Sequence, residues 1–80
     1  MKKNQINKYE EVFKKSFSIT KDKLTKLEYN SIPEWDSVGH MTMIANLEET
    51  FDIVFEMDDI IDFSSYKTGI ELLKKYKINI

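Results

Sequence analysis

The chain has 80 residues, of which 41% are hydrophobic and 32% charged, and its formal net charge is −2. This length suits a single domain, residues 1–80, and the composition is that of a folded globular chain rather than a disordered one. The chain contains no cysteine, which excludes disulfides and thiolate metal ligands. It has no apolar run near the roughly 18–20 residues that span a bilayer, and no apolar segment follows the basic start Met1–Lys3. We therefore expect a cytoplasmic protein with no membrane association.

The charges are segregated along the chain. Residues 1–33 carry eight Lys against four acids, residues 34–62 carry nine acids and no Lys or Arg, and residues 63–80 carry four Lys and one Glu. The acidic middle third repels phosphate backbones and attracts basic protein surfaces, so we expect no nucleic-acid partner. Acidic side chains also keep helices soluble, and the charge alone does not identify a binding site.

The first predicted helix runs from Asn4 to Phe17, because apolar residues recur there every three or four positions. Its apolar stripe comprises Ile6, Tyr9, Val12, Phe13 and Phe17. A long loop over residues 18–35 follows, in which a capping-box pattern predicts a helical turn at Thr25–Glu28. The anchors of this loop are expected to be Leu24, Leu27, Tyr29 and Ile32.

The second predicted helix runs from Ser37 to about Phe51, with Asp36 as its N-cap. Met43, Ile44, Leu47 and Phe51 form its core face, while Val38, Met41 and Ala45 lie on an adjoining face that is left partly exposed. Gly39 in the first turn costs roughly 0.5–1 kcal/mol of helix stability relative to Ala.

Beyond Phe51, Asp52–Phe55 is predicted as a loop that plugs the core, and Asp58–Asp62 as a short helix. Ser65 is expected to cap a last helix from Tyr66 to about Tyr76. Each helix has one apolar face, so the helices must pack together. The sequence thus predicts an all-α fold, a small four-helix bundle of three longer helices and one short helix, with a long loop between the first and second.

Ser37 admits several roles. A catalytic serine needs a base within reach, and His40 lies one helical turn away. No Gly-x-Ser-x-Gly elbow surrounds Ser37, so the pattern disfavours a hydrolase and we predict no catalytic residues. The simplest interpretation is a helix-start serine with no further role, and a surface position for His40. The acidic group Asp58, Asp59 and Asp62 lacks the EF-hand pattern, so no metal site is predicted.

The wider context of Ser37 is more specific. Asp36-Ser37-Val38 precedes an apolar helix that ends Leu47-Glu48-Glu49-Thr50-Phe51. This arrangement resembles the acyl carrier proteins, whose signature is Asp-Ser-Leu followed by a helix ending Leu-Glu-Glu-x-Phe. The resemblance continues through Phe55, the short acidic helix and Ser65–Leu73, and so covers nearly the whole chain.

The resemblance implies a non-enzymatic carrier with 4′-phosphopantetheine joined to Ser37 by a phosphodiester, beside Asp36. An acyl or aminoacyl group would be held as a thioester on this arm, for the biosynthesis of fatty acids or specialised metabolites. The implied partners are a phosphopantetheinyl transferase, an acyl- or aminoacyl-loading ligase, and a downstream acyltransferase or synthase. A phosphate at a helix N-terminus is electrostatically favourable. We expect the carrier to be a monomer.

Two departures from the family pattern refine this expectation. Val38 replaces the usual Leu, and residues 39–42 lack the acids that housekeeping fatty-acid carriers place there, which favours a stand-alone carrier of a specialised pathway. A mixed apolar and acidic partner surface is expected from Val38, Met41, Glu48, Glu49 and Asp52. The alternative is a non-catalytic acidic α-helical interaction domain without a cofactor.

Overall fold

The computed structural model describes residues 3–80. Over these residues the chain is all-α, which confirms the predicted fold class. Its helices are α1 (Lys3–Phe17), α2 (Lys21–Leu24), α3 (Ser37–Phe51), α4 (Met57–Asp62) and α5 (Tyr66–Lys75). Four of them correspond to the predicted helices, and α2 is an additional single turn inside the long loop. In this part of the chain, no helix combines the length and apolar character needed to cross a bilayer.

Two helices begin at the side-chain caps that the sequence predicts. The Asp36 carboxylate accepts a hydrogen bond from the Gly39 N–H at 2.8 Å and starts α3. The Ser65 hydroxyl accepts one from the Thr68 N–H at 3.0 Å and starts α5. Each cap satisfies an N–H group that has no acceptor within its helix. Because a cap acts within three residues, these boundaries are readable from the local sequence.

The centre of the core is a cluster of aromatic side chains. The ring of Phe13 is fully buried and lies 4.9–6.3 Å, between centroids, from five other aromatic rings. Such pairs stabilise a fold by about 0.5–1.5 kcal/mol each beyond the burial of their area. The core face predicted for α3, Met43, Ile44, Leu47 and Phe51, is buried against this cluster. We call the cluster the aromatic core: Tyr9, Phe13, Phe17, Trp35, Phe63 and Tyr66.

The helical turn in the long loop lies earlier than predicted. The turn is α2, at Lys21–Leu24, and the prediction of a turn at Thr25–Glu28 is wrong. The reason is tertiary: the Tyr66 N–H donates to the Leu27 carbonyl at 3.0 Å, and the Tyr29 N–H donates to the Ser64 carbonyl at 2.8 Å. These bonds pair residues 27–29 with the α4–α5 connection and draw them out of a helical conformation.

The anchors of the loop are also partly different. Leu24 and Leu27 are buried as predicted, but Tyr29 is 40% exposed. Trp35 takes the buried position instead, with its ring stacked on Phe17 of α1 at 5.2 Å. Burial of a loop residue depends on which distant elements pack over it, and periodicity gives no signal for that. Trp35 thereby fixes the end of the loop two residues before Ser37.

Hydrogen bonds hold the short helix α4 against the C-terminal end of α5. Asp59 is only 3% exposed and receives hydrogen bonds from Lys75, at 2.9 and 3.1 Å, and from the Tyr76 hydroxyl. The Glu56 N–H donates to the same hydroxyl at 2.8 Å. Just before α4, Phe55 is buried in the core as predicted, whereas Val54 of the same loop is 80% exposed. The position of α4 is therefore set by polar contacts as well as by packing.

Candidate functional site around Ser37

Ser37 is the first residue of α3, and it is exposed. Its N–H and that of Val38 belong to the first turn, whose N–H groups have no acceptor inside the helix. The positive end of the helix dipole adds to the attraction of these groups for an anion. Asp36 directs its carboxylate to the Gly39 N–H, which stabilises the helix start. Ser37 is therefore accessible at the start of α3, where the first-turn N–H groups favour a nearby negative charge.

Gly39 is required by the path of the chain before the helix. The carbonyl oxygen of Glu34 lies against the first turn of α3, and a Cβ atom at position 39 would overlap it. The helix-weakening glycine is therefore explained by a close backbone approach. Gly39 allows the segment from Glu34 to Asp36 to lie against α3. Ser37 then lies at the corner formed where residues 35–37 enter the helix.

His40 is buried, at 9% exposure, so the prediction of a surface histidine is wrong. Its Nδ1 accepts a hydrogen bond from the Trp35 indole N–H at 2.9 Å, and its Nε2 lies 2.8 Å from the Ile60 carbonyl oxygen. Both ring nitrogens are thus engaged with groups other than the Ser37 hydroxyl. This arrangement argues against a Ser37–His40 pair in a hydrolase.

An apolar groove of about 380 Å³ opens beside Ser37, between α3 and α4. The exposed fractions of Met57 and Ile61, 71% and 70%, are unusual for such large apolar side chains in a small chain, and Met41 is 52% exposed. The α4 residues were not predicted to belong to a site. The sequence feature that could have identified them is the apolar spacing of Met57, Ile60 and Ile61 on an otherwise acidic short helix. The groove is lined by Tyr29, Ser37, His40, Met41, Met57, Ile60, Ile61, Phe63 and Ser64.

The predicted partner residues fall into two groups. Val38 and Met41 are exposed next to Ser37, at 74% and 52%. Glu48, Glu49 and Asp52 lie at the other end of α3, roughly 16–22 Å along the helix axis from Ser37. The two groups occupy opposite ends of one helix rather than one compact patch.

The three acidic residues have different surroundings. The Glu48 carboxylate accepts a hydrogen bond from the Phe55 N–H at 2.8 Å, so it holds the chain after α3. Asp52 ends the helix in a left-handed conformation, with φ 55° and ψ 50°. Glu49 is exposed and lines a more polar cleft of about 450 Å³ against α1, together with Lys15. Glu49 and Asp52 are accessible to a partner, whereas Glu48 has a structural contact as well.

Of the acidic side chains of α4, one has a structural contact and two are exposed. Hydrogen bonds from the Tyr76 hydroxyl and the Lys75 ammonium lower the pKa of Asp59 below its ordinary value of 3.8, so Asp59 is ionised and paired at neutral pH. Asp58 and Asp62 are exposed beside the groove-lining residues of the same helix. Among residues 3–80, no three His, Asp or Glu side chains come together as a metal site.

No protein-family model matches the chain, and no solved structure matches it. Over 73 residues the chain is 28% identical to an acyl carrier protein of Lactobacillus johnsonii (strain CNCM I-12250 / La1 / NCC 533). The aligned span covers 90% of this chain and 91% of that protein. This agrees with the resemblance of the segment around Ser37. Over most of its length, the chain is similar to an acyl carrier protein.

Proposed function

We propose that the chain is a carrier protein that presents an acyl or aminoacyl group on a 4′-phosphopantetheine arm attached to Ser37. The similarity to an acyl carrier protein along 90% of the chain supports a carrier role and a protein that is not itself an enzyme. The observation that carries the proposal is the setting of Ser37. Its hydroxyl is exposed at the first position of a capped helix, at the edge of an apolar groove.

Residues of this chain fit a phosphodiester at Ser37. The first-turn N–H groups of Ser37 and Val38 favour the negative charge, and Asp36 keeps the helix start in place. The chain has no cysteine, so it has no thiol of its own with which to form a thioester. When bound, the 4′-phosphopantetheine arm supplies the thiol that carries the acyl or aminoacyl group.

In the proposed modification, Ser37 Oγ forms a bond to the phosphorus of the pantetheine half of coenzyme A. The pyrophosphate bond breaks, and the nucleotide half leaves. The hydroxyl proton passes to a base of the phosphopantetheinyl transferase, since both ring nitrogens of His40 already have other partners. Ser37 therefore needs position and exposure from its own chain, and activation from another protein.

The proposed partners are the transferase, a loading ligase for acyl or aminoacyl groups, and a downstream acyltransferase or synthase. Each must reach Ser37, and the exposed apolar side chains of Val38 and Met41 are the first surface it meets. Glu49 and Asp52, at the far end of α3, extend this contact surface for partners with a basic face. Glu48 contributes charge there while it holds the Phe55 N–H.

The surface around Ser37 also bears on the pathway. After Ser37, the exposed side chains in the first turns of α3 are uncharged: Val38, Met41 and Thr42. A partner that docks there meets apolar contacts near the reacting hydroxyl rather than an acidic helix start. We therefore propose a stand-alone carrier of a specialised pathway rather than a housekeeping fatty-acid carrier.

The test is incubation of the purified protein with coenzyme A, Mg²⁺ and a broad-specificity phosphopantetheinyl transferase, followed by intact-protein mass spectrometry. The expected result is a mass gain of one phosphopantetheine group. Ser37→Ala should abolish the gain. Ser64→Ala is the matched control, because Ser64 is exposed and lines the same groove.

A mass gain that survives Ser37→Ala, or no gain in the native chain, would contradict the proposal. An unmodified mass in protein from its native cell, with partner binding unchanged by Ser37→Ala, would favour a cofactor-free interaction domain. Where the mass gain occurs, mass spectrometry of the protein from its native cell, with cargo attached, identifies the cargo and so the pathway.

A further inference from the structure

His40 has two specific hydrogen bonds that attachment of a group to Ser37 does not explain. The Trp35 indole N–H can only donate, and the Ile60 carbonyl can only accept. The ring must therefore accept at Nδ1, at 2.9 Å, and donate from Nε2, at 2.8 Å. A single neutral tautomer satisfies both contacts.

The two bonds join parts of the molecule on either side of the apolar groove. Trp35 lies two residues before Ser37, and its ring is fully buried in the aromatic core. Ile60 belongs to α4, and its carbonyl is among the last four of that helix. These carbonyls have no N–H donor within the helix. His40 thus links the loop that presents Ser37 to the helix that forms the opposite wall of the groove.

Packing around the ring supports a fixed orientation. The ring of His40 lies edge-on to Tyr29 at 5.6 Å and to Phe63 at 6.1 Å, and parallel to Trp35 at 6.2 Å. A phenylalanine at this position would fill a similar volume. It would leave a buried indole N–H and a helix-end carbonyl without partners, which is unfavourable.

We propose that His40 is a positioning residue, which holds the Trp35–Ser37 corner and α4 in register across the groove. Loss of its Nδ1 contact releases the corner, and loss of its Nε2 contact releases α4. The consequence for Ser37 rests on the proposed function, because only then does the placement of the hydroxyl determine a rate. The two structural links do not depend on it.

Two variants separate the links. In His40→Asn the amide oxygen lies near the position of Nδ1 and keeps an acceptor for Trp35. In His40→Gln the amide nitrogen lies near the position of Nε2 and keeps a donor for Ile60. Trp35 is the only tryptophan of the chain, so its indole N–H gives one assignable NMR signal. We expect His40→Gln to shift this signal and speed its hydrogen exchange, and His40→Asn to speed amide exchange in α4 instead.

The kinetic readout uses the transferase reaction. Disorder of the corner should lower kcat for modification of Ser37 about tenfold in His40→Gln, the effect of one lost hydrogen bond, with KM unchanged. Met41→Ala is the matched comparison on the same helix: it should raise KM and leave kcat unchanged, because Met41 is 52% exposed and lies on the proposed partner surface, away from the two bonds of His40.

A measurement on the native protein needs no variant. The ¹⁵N shifts of the His40 ring at neutral pH should report the Nε2–H tautomer. The other tautomer, or rapid exchange between the two, would overturn the proposal even if a variant failed to fold. An indole signal and a kcat unaffected by His40→Gln would overturn it as well. If the native chain is not modified, the proposed function fails, but the NMR readouts still decide the role of His40.

Discussion

The two sides of the molecule use their apolar side chains in opposite ways. On the α1–α5 side, Tyr9, Phe13 and Tyr66 are buried, and even a glycine is enclosed by aromatic rings. On the α3–α4 side, Met57 and Ile61 are about 70% exposed along the groove. A chain this small buries only about 60% of its unfolded surface, so large exposed apolar groups forgo stabilisation that it could use. The α1–α5 side contributes its apolar side chains to stability, whereas the α3–α4 side leaves an exposed apolar groove beside Ser37.

The largest test of this contrast compares Phe13→Ala with Ile61→Ala. Removal of the Phe13 ring should lower the free energy of unfolding by about 3–5 kcal/mol, because it leaves a cavity at the centre of the aromatic core. Ile61→Ala should change it by no more than about 0.5 kcal/mol, as for other exposed positions. Urea denaturation followed by circular dichroism measures both. Equal losses would show that α4 packs as core and that the contrast is wrong.

The second test concerns how closely the side chains of Tyr9 and Phe63 approach α5. A Cβ atom at Gly69 would overlap the Tyr9 hydroxyl, which donates to the Tyr66 carbonyl at 2.6 Å, and the ring of Phe63. Gly69→Ala should therefore destabilise the fold by about 1–3 kcal/mol, despite the better helix propensity of alanine. The control is Lys67→Ala, an exposed change on the same helix. A more stable Gly69→Ala variant would show that the aromatic side has room to adjust.

The third test addresses the open side at the start of α3. Asp36→Ala removes the acceptor for the Gly39 N–H and should cost about 0.5–2 kcal/mol. Asp36→Ser keeps a capping oxygen and should restore most of this loss. Thermal unfolding measures the difference between the two variants. If Asp36→Ala is as stable as the native chain, the first turn is held by the Glu34 segment rather than by its cap.

The smallest expected effect is a change in the pH profile. The hydrogen bond from Tyr76, and then that from Lys75, lowers the pKa of Asp59, so its contribution to stability is present above pH 3.8 and lost as pH falls through the lowered value. Asp59→Asn should therefore be less stable at pH 7 and lose less stability on acidification than the native chain. Denaturation at a series of pH values measures this. Asp58→Asn, an exposed neighbour, should keep the native acid profile.

Much of this architecture could be predicted from short stretches of sequence. The bounds of α3 follow from a capping aspartate and a regular apolar face, and α5 begins at a capping serine for the same reason. The position of Ser37 at the start of a helix was likewise predictable. These features depend on contacts within about one helical turn, which the order of residues specifies directly.

The surroundings of Ser37 could not be predicted in this way. The bond from His40 to Ile60 joins residues 20 positions apart, and that from Tyr9 to Tyr66 joins residues 57 apart. Trp35 is buried because Phe17 lies over it, not because of its neighbours in the sequence. The partner surface predicted along α3 is divided between its two ends, and the α4 residues of the groove were not assigned.

An all-α chain, the capped start of α3 and a serine in a setting like that of the acyl carrier proteins all follow from the order of the residues. Local hydrogen bonds and helical periodicity decide these features. Three other features arise from the packing of the folded chain. His40 is buried and bridges two elements, Gly39 lies under the Glu34 carbonyl, and α4 leaves Met57 and Ile61 exposed beside Ser37. These depend on which distant segments come into contact, and packing of the whole chain sets that.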